Sequence, residues 1–302
     1  MPASSPADSD RLTRFLLPHA GVRGVRVHLG DAWRKIRERD DYPVAVAELL
    51  GEAVAASALF TGHAKVEGRL SVQLRGTGRL RTLFAECTAG GTLRAVARLA
   101  EDDDSPVPRD LRGLGEGAVL AITIENPGLG SRDAARYQGL VPLQSDSLAG
   151  AFEDYFRQSE QLPTRLLLAA DEHQAAGLML QKLPGDEGDE DGWNRASALF
   201  DTLGQEELLA LDADTLLTRL FHEDAPTRVG DKPLAFGCSC SAERVAGMLR
   251  SLGLAEAREA VIDGAARIRC EFCGTRYELD AAEVEALFSG PEPNAAAPER
   301  VQ

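Results

Sequence analysis

The apolar positions along this chain change period several times, and each change predicts an element. Val22, Val25, Val27 and Leu29 lie between Gly21 and Gly30, a bracketed stretch that predicts a strand after the opening run Arg11–Leu17. Trp33–Arg39 is charged and suits a helical turn. From Pro43 the spacing becomes helical. Val44, Val46, Ala47, Leu49, Leu50, Val54, Leu59 and Phe60 cover most of a helix circumference, which predicts a buried helix. Between residues 66 and 100 the period drops to two. Val66–Leu74, Leu80–Cys87 and Leu93–Arg98 alternate apolar with polar, and Gly76, Gly78, Gly90 and Gly91 mark the turns. This is the pattern of an antiparallel meander with one buried face.

Beyond an acidic loop at Glu101–Asp104, Val119–Ile124 reads as a short buried strand closed by the turn Asn126-Pro127-Gly128. Ser147–Glu160 reads as one amphipathic helix carrying Leu148, Phe152, Tyr155 and Phe156, stopped by Leu162-Pro163-Thr164. Arg165–Ala170 and Ala176–Gln181 then suit a hairpin. A first domain over 10–184 follows from these elements. Gly185–Gly192 carries five acidic residues and reads as a solvated linker. Trp193–Phe221 predicts two or three short helices whose leucines and phenylalanines are too apolar to stand free. A helical linker over 185–232 and a C-terminal domain over 233–288 are the expected divisions. The second contains helices at 243–252, 254–261 and 281–288 and a hairpin over 268–277. Residues 1–9 and 289–302 are rich in Pro and Ala and read as disordered. The expected fold class is α+β: an N-terminal antiparallel-sheet-and-helix domain, a helical linker and a small C-terminal zinc-binding domain.

Composition narrows the partners. The 302 residues carry a formal charge of −15, which argues against a general nucleic-acid binder and against anionic membranes. A hydrophobic content of 44% is enough for a sizeable core. No apolar run is expected to approach the roughly 18 residues of a membrane span. Met1–Asp8 has neither a basic nor an apolar region of the kind a signal peptide needs, so the expected location is cytoplasmic.

The cysteines add chemistry. Four of the five lie in the last quarter, as Cys238-Ser239-Cys240 and Cys270-Glu271-Phe272-Cys273, with 29 residues between the pairs. Two close pairs on a chain long enough to fold back can bring four sulfurs to one point, and Zn²⁺ favours tetrahedral thiolate coordination. Cys238, Cys240, Cys270 and Cys273 are therefore the candidate metal ligands and Zn²⁺ the candidate cofactor. Inert buried thiols would have no reason to pair at both ends of one segment. A disulfide framework would need an oxidising compartment. Cys87 stands alone on a predicted strand and reads as a buried structural thiol.

Other readings of the cysteines stay open at this point. A catalytic zinc keeps an open position, whereas four cysteines close the shell; His19, His28, His63, His173 and His222 are scattered and form no ligand spacing. No catalytic residue is singled out and an enzyme is not expected. A thiol-disulfide oxidoreductase would place Cys-x-x-Cys between a strand and a helix. A zinc-ribbon adaptor for nucleic acid would use Arg267, Arg269 and Arg276, which nearby acidic residues offset.

Several stretches together resemble one family. Cys238–Arg244 and Cys270–Gly274 are similar to the zinc-switch module of the 33-kilodalton redox-regulated bacterial heat-shock chaperones. So are Tyr137–Leu143, the run Tyr155-Phe156-Arg157-Gln158-Ser159-Glu160-Gln161-Leu162-Pro163-Thr164, and Arg219–Glu223, all in the same order. Ala225–Lys232 is more polar than that family's pattern, and Ala265-Ala266 stands where a polar residue is common. The resemblance implies an ATP-independent holdase that binds unfolding client proteins under oxidative stress. It is inactive when reduced and zinc-bound, and active as a homodimer when oxidised. It implies a metastable linker over 185–232. It also implies disulfides Cys238–Cys240 and Cys270–Cys273 in the oxidised form.

Overall fold

A 20-residue helix organises the larger part of the protein. In a computed structural model that describes residues 9–128, 134–185 and 189–289, this helix packs against strands of two antiparallel sheets. The terminal stretches 1–8 and 290–302, and residues 186–188 of the acidic run, lie outside the described residues. The chain divides into two compact units between Gly237 and Cys238.

The first unit contains, in chain order, β1 (Arg11–Leu17), β2 (Val22–Leu29), α1 (Asp31–Arg37), α2 (Val44–His63), β3 (Arg69–Arg75), β4 (Leu80–Thr88), β5 (Thr92–Leu99), β6 (Val119–Asn126), β7 (Ala135–Val141), α3 (Leu148–Tyr155), β8 (Thr164–Ala170) and β9 (Ala175–Lys182). It continues with α4 (Gly192–Phe200), α5 (Gln205–Ala210), α6 (Ala213–Phe221), β10 (Thr227–Pro233) and β11 (Ala235–Phe236). One sheet has the order β10-β1-β2-β9-β8 and the other β11-β5-β4-β3-β6-β7. Every pairing is antiparallel except β11 with β5.

The sequence pattern explains where α2 sits. Nearly every residue from Val46 to Thr61 is buried, so the helix has no polar face to offer water. It joins Val25, Val27 and Leu29 of one sheet with Leu70, Val72 and Leu83 of the other in a single core. By length and composition Val44–His63 would also suffice to cross a bilayer. This corrects the expectation that no apolar run approaches such a length; its burial between the sheets accounts for that apolarity.

The first sheet is covered on both faces, which is why β9 is buried along nearly its whole length. The face opposite α2 presents Phe15, Leu17, Val22, Leu178 and Leu180. Helices α4, α5 and α6 cover it with Phe200, Leu208, Leu216 and Phe221. The apolar helices expected from 193–221 thus dock within the first unit. Buried polar groups mark this docking. Arg26 donates to the Leu211 carbonyl, and His28 Nε2 lies 3.2 Å from the Leu209 carbonyl oxygen. Asp224, fully buried, pairs with Arg195 and ties α4 to the turn after α6. The polar stretch after α6 forms β10, an edge strand paired with β1. Its side chains are mostly exposed, so no apolar alternation announces it.

The expected helix over 147–160 also differs. The α-helix ends at Tyr155, and Phe156–Glu160 is a π-helical turn. The wider turn keeps Phe156 on the buried side next to Phe152 and Tyr155, edge-on to Phe60 at 5.4 Å.

The second unit holds α7 (Ala242–Leu252), α8 (Leu254–Glu259), β12 (Val261–Ile262), β13 (Ala265–Arg269), β14 (Arg276–Asp280) and α9 (Ala281–Ala286), with sheet order β12-β13-β14. Its small core centres on buried Val245, Leu249, Ala257, Ala266 and Val284, with partly buried side chains such as Ile268, Leu279 and Phe288 packed against them. Ala266 is small because it stands inside that core. The fold is α+β, with antiparallel sheets and helices.

Candidate metal centre

The four cysteines predicted as ligands meet in the second unit. Their sulfurs all lie within 4.8 Å of one another, the single such group of metal-binding side chains among the described residues. Cys238 Sγ is 3.6 Å from Cys270 Sγ, and Cys240 Sγ is 3.3 Å from Cys273 Sγ. A disulfide needs about 2.05 Å, so these are free thiols in close contact. Tetrahedral Zn²⁺ with bonds of ~2.3 Å separates its sulfurs by ~3.8 Å, and the cluster has those dimensions. Donor type, number and spacing therefore fit one zinc ion held by Cys238, Cys240, Cys270 and Cys273, all half-buried.

Local structure brings each pair into place. Ser241 caps α7 by accepting from the Arg244 N–H, which ends the cysteine loop one residue after Cys240. Arg244 Nη1 donates to Ser239 Oγ at 2.6 Å, between the two sulfurs in sequence. The second pair lies in the turn from β13 to β14. Cys270 N–H donates to the Thr275 carbonyl at 2.8 Å, and Gly274 N–H donates to the Cys270 carbonyl at 2.7 Å. Gly274 has φ +72°, a conformation that favours glycine, so the turn needs the residue that follows Cys273.

Two hydroxyls touch the sulfurs. Tyr277 donates to Cys240 Sγ at 3.0 Å, and Thr275 Oγ1 lies 3.1 Å from Cys273 Sγ. Thr275 ends the turn just before β14, and Tyr277 is the second residue of that strand. Sequence reasoning passed over these two; hydroxyl side chains two and four residues after Cys273 were the available signal.

The thiols differ electrostatically. Burial pushes Cys238 up to about 12 and raises Cys270. Cys273 is also desolvated, yet hydrogen bonds from Thr275 and neighbouring cysteines bring it down to about 6. A metal-free cluster thus sets the readily ionised Cys273 beside the reluctant Cys238 and Cys270, and the thiolate is the form that binds metal and meets oxidants.

Cys87 is placed as expected. It is buried on β4, and burial raises its thiol to about 11. None of the histidines joins the sulfur cluster. His28 is a buried core group bonded near Gln174, and His63 is held at about 4 by burial and by Arg23.

Comparison with known proteins agrees with this architecture. The sequence profile described as Hsp33 protein matches residues 10–280. A protein named 33 kDa chaperonin from Neisseria meningitidis is 40% identical over 284 residues, covering 93% of this chain and 92% of its own length. Its namesake from Ectopseudomonas mendocina is 42% identical over 289 residues, covering 93% and 96%. The crystal structure of the 33 kDa chaperonin from Thermotoga maritima superposes with a TM-score of 0.73 over 92% of this chain and 97% of that one. At 21% identity that likeness concerns the fold alone. A profile match over most of the length, with relatives near 40% identity, places the chain in the Hsp33 protein family, a family of chaperones.

Proposed function

We propose that this chain is an ATP-independent, redox-regulated holdase whose cysteine cluster is the switch. The observation that carries this reading is the group of four free, half-buried sulfurs within 4.8 Å, standing in a unit with a small core of its own. Units of that size seldom fold on apolar burial alone. When bound, zinc supplies an apparent ~10–16 kcal/mol of coupled folding free energy, comparable to the roughly 5–15 kcal/mol of a whole domain.

Oxidation of the cysteines removes that support. One thiolate attacks a peroxide oxygen, forming a sulfenic acid and releasing water after proton uptake. The neighbouring thiol displaces a second water as the S–S bond closes. Each disulfide takes two electrons from two sulfurs and reduces one peroxide. Cys238 with Cys240, and Cys270 with Cys273, are the proposed pairs, because each can close without rebuilding the fold. Both members of a pair then cease to be metal donors until a reductant opens the bond.

Residues 185–232 act as the metastable linker. The apolar face of α4–α6 is covered by the first sheet. Once released, it would offer leucines and phenylalanines to unfolding clients, which expose the same kind of surface. The formal charge of −15 would keep such complexes soluble. Oxidised chains pair as homodimers, the protein acts in the cytoplasm, and neither nucleic acid nor membrane is its partner. Four sulfurs around one ion leave no open position for substrate, so the centre is a switch and not an active site.

The test combines zinc stoichiometry and thiol count with suppression of client aggregation, before and after peroxide at raised temperature. The expected result is the coordinated loss of one zinc and four thiols with gain of holdase activity. Zinc retained and activity unchanged after oxidant would leave the centre purely structural, the property of an adaptor. Turnover of a small disulfide substrate would instead favour an oxidoreductase.

A further inference from the structure

The run Tyr155–Thr164, prominent in the sequence, has no part in the cysteine centre. Its backbone is unusual. The π-helical turn Phe156–Glu160 ends at Gln161, whose φ of 54° is left-handed. Both features cost free energy and recur at functional sites. Phe156 and Glu160, the two ends of the π-helical turn, line a cavity of ≈ 430 Å³ within the first unit, a volume within the ~300–1,000 Å³ common for small-molecule sites.

The cavity has two chemical characters. Phe60, Leu70, Ile122, Ile124 and Phe156 make an apolar wall. Opposite in character is Arg23, whose Nε donates to Gln181 Oε1 at 3.2 Å while Nη2 lies 3.1 Å from His63 Nε2. Arginine can only donate, so the ring nitrogen accepts and His63 is neutral. No carboxylate among the described residues pairs with Arg23, and burial lowers its pKa without a compensating charge. Elsewhere in this unit partly buried arginines such as Arg94 and Arg195 have carboxylate partners. Lys65 adds a second positive charge to the lining, against the one carboxylate of Glu160.

The opening is also shaped. Tyr137 and Tyr155 meet hydroxyl to hydroxyl at 3.2 Å, and Tyr137 is 54% exposed. The ring of Tyr155 fits because residue 139 is glycine. A Cβ there would come 2.5 Å from the Tyr155 hydroxyl. A half-buried guanidinium with no carboxylate partner among the described residues, beside an apolar wall that includes the Phe156 ring, complements an anion that carries a ring.

We propose that this cavity binds a small aromatic carboxylate, its ring against the Phe156, Ile122 and Ile124 wall and its carboxylate on Arg23. The proposal is independent of the redox reading of the cysteines. The test is calorimetry on the reduced, zinc-loaded full-length chain with 2-naphthoate and with its neutral analogue 2-naphthalenemethanol. One saturable site is expected, with the carboxylate favoured by roughly ten- to a hundredfold, the worth of a charged hydrogen bond. Arg23→Met should abolish that preference and Arg23→Lys should keep most of it. An anion on Arg23 removes the positive field acting on His63, so its titration followed by NMR should move up from about 4 when 2-naphthoate saturates the site. If Arg23→Met lacks a cooperative melt, the two probes and the His63 titration on the unaltered chain decide. Equal affinity for both probes, absence of a saturable site, or an unmoved His63 would overturn the proposal.

Discussion

Phe221→Ala probes whether α4–α6 can leave the first sheet without unfolding the rest. Phe221 is fully buried at the end of α6, and its ring stacks on Phe15 of β1 at 6.5 Å with 24° between the planes. Truncating a buried phenylalanine costs ~3–5 kcal/mol, the lost transfer energy plus the cavity. The nine residues of α6 cannot offset this, since isolated helices below ~12–15 residues are marginal in water. At about 1.4 kcal/mol per factor of ten, the undocked population rises by roughly two to three and a half orders of magnitude. Hydrogen exchange read by mass spectrometry on the reduced, zinc-loaded chain should therefore show protection of residues 192–224 falling by that factor, with α2 unaffected. The same protein should suppress client aggregation without oxidant. Phe152→Ala is the matched control, because Phe152 is as buried but packs edge-on to Phe60 in the core around α2. It should lower protection everywhere together. Equal loss in α2 and in 192–224 for Phe221→Ala would mean the segment does not move as a unit, and the linker argument would fail.

Three further outcomes are expected. Asp224→Ala removes the buried carboxylate that Arg195 holds, although Asp189 remains 2.9 Å from the guanidinium, and should lower stability in urea unfolding by roughly 1.5 kcal/mol, the low end for a charged hydrogen bond; an unchanged midpoint would contradict the role given to this pair. His63 is neutral in the fold down to about 4 but takes up a proton near 6.5 when unfolded, so the unfolded chain binds more protons between these values. Stability should then fall by up to roughly 3 kcal/mol as pH drops from 6.5 to 4, and His63→Gln should flatten that slope. Cys87, buried with its thiol pushed up to about 11, should resist iodoacetamide at pH 8 in the native protein and react only after denaturation; labelling of the native chain at the rate of an exposed cysteine would refute its placement in the core.

Much of the fold was legible because its elements carry strong periods. α2 announces itself by apolar residues on every side, and β3, β4 and β5 by alternation. The strand β10 was not legible, since its side chains face water and its place is set by backbone pairing with β1. Nor was the π-helical turn after Tyr155, where packing of Phe156 against Phe60 overrides a pattern that reads as continuous helix. The expectation that no apolar run approaches a membrane span failed at α2 for a related cause: a helix buried between two sheets can be as apolar as one in lipid.

The sequence by itself determined the candidate ligand set, because two cysteine pairs on one foldable segment suit one tetrahedral ion. It also determined that residues 193–221 must be covered, since their apolar face is too wide for water. Only the tertiary structure decided what covers them, that buried Arg26 and His28 hold the helices to the sheet, and that buried Asp224 ties α4 to the turn after α6. The same holds for Tyr277 and Thr275 at the sulfurs and for Arg23 beside Gln181 and His63 in the cavity. The physical reason is common to all of them. Composition and period record whether a side chain prefers water, whereas partners distant in the chain become neighbours only when sheets and helices have packed.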